Sequence, residues 1–98
     1  MPCFTYILFS TRLNLFYVGV TNNIEKRLIE HNKFASCFTS TGVPWTLLWS
    51  TSKTDRKSAE RLESRLKNLT RKRKIEFMIK YKDGISQELS IKILNQLM

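Results

Sequence analysis

Five polar residues stand where the hydrophobic pattern of the chain would otherwise place core residues. They are Tyr6, Tyr17, Arg27, His31 and Glu63. Residues three, four and seven apart share one face of an α-helix. Ile24 therefore lies on one stripe with Arg27 and His31, the stripe that should face the protein. Polar groups on such a face are candidates for chemistry.

Hydrolysis of a phosphodiester bond needs a general base for water, a cation for the charge that develops on the phosphate and usually a metal ion on the leaving group. A tyrosine and an arginine supply the first two functions, and a glutamate can hold the ion. The sequence has no aspartate cluster for a two-metal site, no phosphate-binding glycine loop and no Ser-His-Asp arrangement. The pattern favours a nuclease with one divalent ion.

Each of these residues also has a purely structural interpretation. A strand tyrosine usually packs its ring and leaves its hydroxyl at the surface. Arg27 could extend along the surface, and His31 could interact with the C-terminal dipole of its helix. Glu63 could pair with Lys67 one helical turn later.

The charge of the chain indicates the class of its partner. Seventeen Lys and Arg residues against eight Asp and Glu give 98 residues a net charge of +9, and Lys53 to Lys82 holds twelve basic residues against four acidic ones. Such a field attracts polyanions, so nucleic acid is the leading partner class, ahead of a solvated basic face or acidic membrane lipid. The residues expected to contact DNA are Arg65, Lys67, Arg71, Lys72, Arg73 and Lys74.

The two cysteines carry no metal or targeting signal. Cys3 and Cys37 lack a CxxC spacing, and with a single histidine they complete a zinc site only if a carboxylate joins them, so we do not expect structural zinc. No stretch of eighteen apolar residues and no leader pattern occurs. We therefore expect reduced thiols, a cytoplasmic location and no membrane anchor; the sequence leaves the oligomeric state open.

The N-terminal third predicts a β-hairpin followed by a helix. Phe4 to Ser10 and Leu15 to Val20 are rich in β-branched and aromatic residues and flank a four-residue loop. This loop length pairs Ser10 with Leu15, Leu8 with Tyr17 and Tyr6 with Gly19, which makes the two tyrosines diagonal neighbours on one face. Asn22 and a glutamate three residues later resemble a capping box, so the helix should run from about Asn23 to Asn32.

The remainder predicts one strand and three helices. The strand is Thr46 to Ser50, and the helices run from about Asp55 to Leu69, Thr70 to Tyr81 and Ser86 to Met98. The expected inward residues of the helices are Ala59, Leu62, Leu66 and Leu69, then Ile75, Met78 and Ile79, and finally Leu89, Ile93 and Leu97. The order predicts an α/β (α+β) fold: a small, mostly antiparallel three-stranded sheet flanked by helices, in one domain of residues 1–98 with 84–98 as a C-terminal helical extension.

The same residues resemble the GIY-YIG nuclease family over Thr5 to Ile79. The matching segments are TYIL, YVG, RLIEHN, a PW pair before the third strand and E-x-x-L-K followed by a basic run. Ten residues separate Tyr6 in the first segment from Tyr17 in the second. The chain is most similar to small stand-alone bacterial members, related to the incision module of the nucleotide-excision-repair subunit and to some homing endonucleases. The resemblance implies a metal-dependent DNA endonuclease, in DNA repair or recombination, that uses one Mg²⁺ or Mn²⁺ ion.

The resemblance also implies roles for individual residues. Tyr6 or Tyr17 would activate water, Arg27 would hold the phosphate and Glu63 would bind the metal ion. His31 would assist Tyr17 or the phosphate. Gly19 would be structural, because a side chain opposite Tyr6 would crowd that ring.

The chain departs from the family pattern at two positions. Phe4 replaces the first glycine of the name motif, and Ile75, preceded by Lys74, stands where many members carry an asparagine about twelve residues after the metal-binding glutamate. A nucleic-acid-binding module without cleavage activity is therefore the alternative, and a protein-interaction role for the last helix is a third hypothesis.

Overall fold

The computed structural model describes residues 2–33, 42–85 and 88–97. The elements are β1 (Cys3–Ser10), β2 (Leu15–Thr21), α1 (Ile24–Asn32), β3 (Trp45–Lys53), α2 (Arg56–Lys67), α3 (Arg71–Lys80), a 3₁₀ turn (Lys82–Gly84) and α4 (Glu88–Leu97). The strands form an antiparallel sheet in the order β2-β1-β3. The predicted α+β fold with a three-stranded sheet is confirmed.

The hairpin has the predicted register. Ser10 pairs with Leu15, and Tyr6 pairs with Gly19. Asn14 ends the loop in the left-handed region at a φ of 56°, a conformation that asparagine tolerates better than most residues. The loop length therefore sets which side chains of the two strands share a face.

The two faces of the sheet carry different layers. The larger core lies under α2, α3 and α4 and contains Ile7, Phe9, Val18, Leu48, Trp49, Leu66, Ile75, Met78 and Leu94. The smaller cluster, on the opposite face, contains Tyr6, Leu8 and Trp45, with Tyr17, Leu28, Val43 and Leu47 packed against it. The first core stabilises the sheet, and the second surrounds the two tyrosines.

The predicted cap of α1 is wrong by one residue. Asn23, not Asn22, is the N-cap, and its side chain accepts a hydrogen bond from the Lys26 amide. The hydroxyl of Thr21 explains the choice, because it bonds both the amide and the carbonyl of Asn23 and so fixes the end of the strand.

Two other boundary and burial predictions differ from the structure. β3 runs from Trp45 to Lys53, longer than expected. Ile79 is 36% exposed, since Ile75 and Met78 already occupy the inward face of α3. In α4 the buried residue is Leu94, which the predicted stripe omitted; the side chain of Leu89 lies outside the described residues.

Cys3 is buried as a free thiol, and Cys37 falls outside the described ranges. Across residues 2–33, 42–85 and 88–97, the helices are all too short or too polar to cross a bilayer.

Candidate active site

The two tyrosines come together on the α1 face of the hairpin. Their ring centroids are 6.3 Å apart, and Tyr6 is 2% exposed. Gly19 leaves the space for the Tyr6 ring: a Cβ there would lie 2.6 Å from the Tyr6 hydroxyl oxygen and 3.0 Å from Cε1 of Tyr17. The hydroxyl of Tyr6 therefore passes directly over the backbone of β2.

Helix α1 brings Arg27 and His31 to these rings. The end of the helix is tied to β3 by the side chain of Asn32, whose Oδ1 accepts from the Trp45 amide at 2.6 Å and whose Nδ2 donates to the Trp45 carbonyl at 3.2 Å. This pair of bonds fixes the helix against the sheet and so sets the depth of His31, which is fully buried.

His31 contacts both tyrosines. Its Nε2 is 3.1 Å from the Tyr6 hydroxyl, and its ring meets the Tyr17 ring edge-on with centroids 4.9 Å apart. Burial, followed by the charge of Arg27, lowers the pKa of His31 to about 4 although Glu30 acts in the opposite direction. The imidazole is therefore neutral at physiological pH and able to accept a proton.

Tyr6 holds its proton more tightly than a free tyrosine. Burial, with smaller contributions from the nearby Tyr17 and Glu63, raises the pKa of Tyr6 to about 12, against the opposing effect of Arg27 and its hydrogen bond. An arginine only donates, so Arg27 donates to the Tyr6 oxygen. When Nδ1 of His31 carries the imidazole proton, the Tyr6 hydroxyl donates to Nε2 of His31.

Arg27 lies at the opening of the site. Its Nη1 is 3.0 Å from Oε2 of Glu30, and its side chain is 31% exposed. Burial lowers the pKa of Arg27, but the interactions with Tyr6, Tyr17 and Glu30 outweigh burial and raise it. The guanidinium is thus a fixed positive charge that borders the tyrosines and remains accessible to an anion.

Glu63 approaches the site from α2. Its carboxylate acts electrostatically on Tyr6, and Oε2 is 3.4 Å from Nζ of Lys67 in a pair whose lysine is 55% exposed. Surface pairs of this kind contribute about 0–1 kcal/mol, so Lys67 is easily displaced.

The donor set fits one weakly held divalent ion. The described parts of the chain contain no group of three or more His, Cys, Asp or Glu residues that could hold a metal. Mg²⁺ typically keeps several waters and takes one or two carboxylates together with substrate phosphate. Glu63, 23% exposed, matches that requirement for a protein carboxylate.

The six basic residues expected to contact DNA differ in their surroundings. Arg65, Lys67, Lys72 and Arg73 are exposed. Arg71 instead bonds the carbonyl and the side chain of Asn14, both at 2.6 Å, and lies over the Phe16 ring at 5.2 Å. Lys74 donates to the Leu69 carbonyl, and burial lowers its pKa. Arg71 and Lys74 therefore have structural contacts within the protein.

The family asparagine position holds a core residue. Ile75 is 4% exposed and packs in the larger core, so it offers no polar group to the site. The sequence interpretation also missed Glu30 and Asn32. The i, i+3 spacing of Glu30 from Arg27 was a signal for the first, whereas the partner of Asn32 lies thirteen residues away and requires the fold.

Comparisons with known proteins identify the family of the chain and a structure with a similar fold. A model of the GIY-YIG catalytic domain matches residues 2–76. The chain belongs to the GIY-YIG family. It is also similar to the solution NMR structure of the UPF0213 protein BH0048 from Bacillus halodurans, with 26% identity, a TM-score of 0.54 and coverage of 86% of this chain and 88% of that one. Comparison with curated protein sequences gives no match. GIY-YIG membership indicates a nuclease-type fold and a nucleic-acid substrate.

Proposed function

We propose that this GIY-YIG domain is a DNA endonuclease that hydrolyses phosphodiester bonds and depends on one Mg²⁺ or Mn²⁺ ion. One observation carries the proposal: the buried Tyr6 hydroxyl contacts Nε2 of His31 while it also interacts with Arg27 and feels the charge of Glu63. In this proposal His31 and Arg27, which interact with the Tyr6 hydroxyl, act as proton acceptor and anion-binding cation, and Glu63, close enough to influence Tyr6 electrostatically, is the metal-binding carboxylate.

The raised pKa of Tyr6 supports a proton relay rather than a stable tyrosinate. As water attacks the phosphorus atom, its proton passes to the Tyr6 oxygen while the Tyr6 proton passes to Nε2 of His31. The neutral imidazole accepts this second proton, and the phenol is regenerated. Tyr17 packs against His31 and holds the ring in place.

Arg27 and Glu63 act on the phosphate side of the reaction. Arg27 donates to a non-bridging phosphate oxygen and offsets the negative charge that grows in the transition state. Glu63 would hold the divalent ion, and such an ion, when bound, stabilises charge on the phosphate and on the leaving oxygen. Repair or recombination of branched DNA is the process that we assign to this activity.

Cleavage of branched, flapped and linear DNA in Mg²⁺ or Mn²⁺ tests the proposal. We expect Glu63→Gln and Arg27→Ala to lose activity by about 10²- to 10³-fold, the usual effect of removing a transition-state contact. Tyr6→Phe keeps the ring and removes the relayed proton, so it should lose activity to a similar degree. Tyr17→Phe separates a chemical role of that hydroxyl from packing of the ring.

The controls are the folding of each variant by circular dichroism and the exposed Lys57→Gln variant, which should cleave as the wild type does. Activity that is indifferent to Glu63 or absent on every substrate would favour the second candidate, a nucleic-acid-binding module without cleavage. The buried Ile75 at the family asparagine position is the observation that supports this alternative.

A further inference from the structure

A groove follows the outer edge of β3, on the side away from β1, where Ile85 forms a single antiparallel bridge with Trp49. It has a volume of about 670 Å³ and lies between the end of β3, helix α2 and the segment that joins α3 to the 3₁₀ turn. Four cations line it: Lys53, Arg65, Lys80 and Lys82. Asp83 is its acidic residue.

A second concavity continues the groove along α3. The two share Arg65, Phe77 and Lys80, and the second adds the cations Lys72 and Arg73 and the acidic Glu76. We call the combined surface the edge groove. It presents six basic residues against two acidic ones, so its charge is complementary to a polyanion.

An aromatic wall closes one side of the edge groove. Trp49 donates from Nε1 to the Tyr81 carbonyl at 2.9 Å, and Phe77 packs against both aromatic rings with centroid distances of 5.2 and 4.8 Å. Tyr81 is 49% exposed, and Nζ of Lys80 lies 5.6 Å from its ring centroid. A held but accessible ring beside a cation is a platform on which a planar base can stack.

Helix α2 separates the edge groove from the active site. Arg65 and Leu62 line the groove, whereas Glu63 acts on Tyr6. Residues two apart on a helix project about 200° from each other, so Glu63 and Arg65 point to nearly opposite sides of α2. A helix is about 10–12 Å wide, a distance that a short run of nucleotides crosses.

We propose that the edge groove binds a single-stranded segment of the DNA substrate outside the phosphate that is cleaved. This proposal rests on the proposed function, which supplies DNA as the substrate. What it adds is the place where an unpaired strand of that DNA binds. Bases in a duplex are stacked on one another and leave no face for Tyr81, whereas an unpaired base does. The cations then follow the phosphates of the same strand.

Binding of DNA in EDTA tests the groove without any cleavage. We use a fluorescein-labelled single strand of roughly 16 nucleotides and the corresponding duplex, and measure anisotropy over a series of salt concentrations. The groove variant is Lys53→Gln/Lys80→Gln/Lys82→Gln. The matched control, Arg12→Gln/Lys57→Gln/Lys92→Gln, removes the same charge from exposed positions outside the edge groove.

The wild type should bind the single strand more tightly than the duplex. For single strands the slope of log affinity against log salt is about −0.7 per phosphate contact. The groove variant removes three cations, so the magnitude of its slope should be smaller than that of the wild type by about 2. The control should leave the slope nearly unchanged. Equal slopes for the two triple variants, or tighter binding of the duplex or of an RNA strand of the same sequence, would overturn the proposal.

Substitutions at Tyr81 test base stacking independently of the charge variants. Tyr81→Ala should weaken single-strand binding about 5- to 100-fold, and Tyr81→Phe should restore it because the ring is sufficient for stacking. Both variants keep the backbone carbonyl that Trp49 uses, and circular dichroism checks their fold. Weakening by Tyr81→Phe equal to that by Tyr81→Ala would contradict stacking.

Glu63→Gln separates this proposal from the proposed function. The variant should bind the single strand as tightly as the wild type while it loses cleavage. If the wild type binds in the edge groove but never cleaves, the endonuclease proposal fails and the groove proposal stands.

Discussion

The buried His31 predicts that the folded protein loses stability when the solution is made mildly acidic. The folded-state pKa of His31 is about 4, against an ordinary value of 6.5, because burial and then the charge of Arg27 oppose protonation. Between these two values the unfolded chain binds a proton that the folded chain does not. Stability is therefore unaffected above about pH 7, falls as the pH drops through 6.5, and stops falling from this cause below about pH 4.

The size of the effect follows from the shift of the pKa. One pKa unit corresponds to 1.36 kcal/mol, so the whole shift is worth roughly 3 kcal/mol, of which about 2 kcal/mol is lost between pH 7 and pH 5. The groups that face the imidazole are Tyr6, Tyr17, Arg27 and Glu30. Tyr6 and Arg27 do not titrate in this window, since their pKa values are raised.

Urea unfolding at a series of pH values, followed by the fluorescence of the buried tryptophans, measures this loss. The matched variant is His31→Gln, which keeps a polar side chain and removes the titration. Asp55 should not contribute to this loss, because the hydrogen bond that its carboxylate accepts from the Ser58 amide lowers its pKa, so it titrates below the range from pH 7 to pH 5. The wild type should lose about 2 kcal/mol from pH 7 to pH 5 and His31→Gln much less. The same loss in both proteins would refute the reasoning.

Three substitutions probe contacts that position the site. Arg71→Ala removes two hydrogen bonds to the hairpin loop and a ring contact, so the free energy of unfolding should fall by about 1–2 kcal/mol. The control, Lys72→Ala at an exposed position, should change the free energy of unfolding by less than about 0.5 kcal/mol. Equal effects of the two substitutions would contradict a structural role of Arg71. Gly19→Ala places a Cβ 2.6 Å from the Tyr6 hydroxyl oxygen, so the free energy of unfolding in urea should fall by about 1–3 kcal/mol and cleavage should be reduced. Unchanged stability would mean that the Tyr6 ring moves aside freely. Asn32→Ala removes the side-chain hydrogen bonds to the amide and the carbonyl of Trp45, so the free energy of unfolding should fall by about 2 kcal/mol. The pKa of His31, measured by NMR titration, should also change. An unchanged pKa would show that other contacts hold the helix in place.

Local rules account for the part of the fold that the sequence predicts. The hairpin register depends on loop length and strand alternation, both of which are local, so the neighbouring positions of Tyr6 and Tyr17 could be predicted from spacing alone. The stripe that carries Arg27 and His31 follows equally from helical periodicity. The fold class and the closeness of these residues were therefore accessible before the structure.

Long-range contacts account for the rest. The bonds of Asn32 to Trp45 and of Arg71 to Asn14 join residues 13 and 57 positions apart, and no local pattern identifies them. The cap of α1 was ambiguous because two asparagines are adjacent and a hydroxyl from the preceding strand selects the second. The exposure of Ile79 depends on which side chains α3 can bury at once, which only packing decides.

The electrostatics of the site connect substrate binding to proton transfer. In the free protein the charge of Arg27 helps to hold the pKa of His31 near 4, which makes the imidazole a weak acceptor. A phosphodiester bound to Arg27 brings a negative charge that offsets this effect, and we infer that the pKa of His31 then rises toward the range in which a base works best near neutral pH. In the proposed relay the Tyr6 hydroxyl, which contacts Nε2 of His31, passes the proton from water to the imidazole, so proton transfer would gain its driving force when the phosphate is bound. Arg27, which we propose to bind the phosphate, would thereby also determine when His31 becomes an effective base.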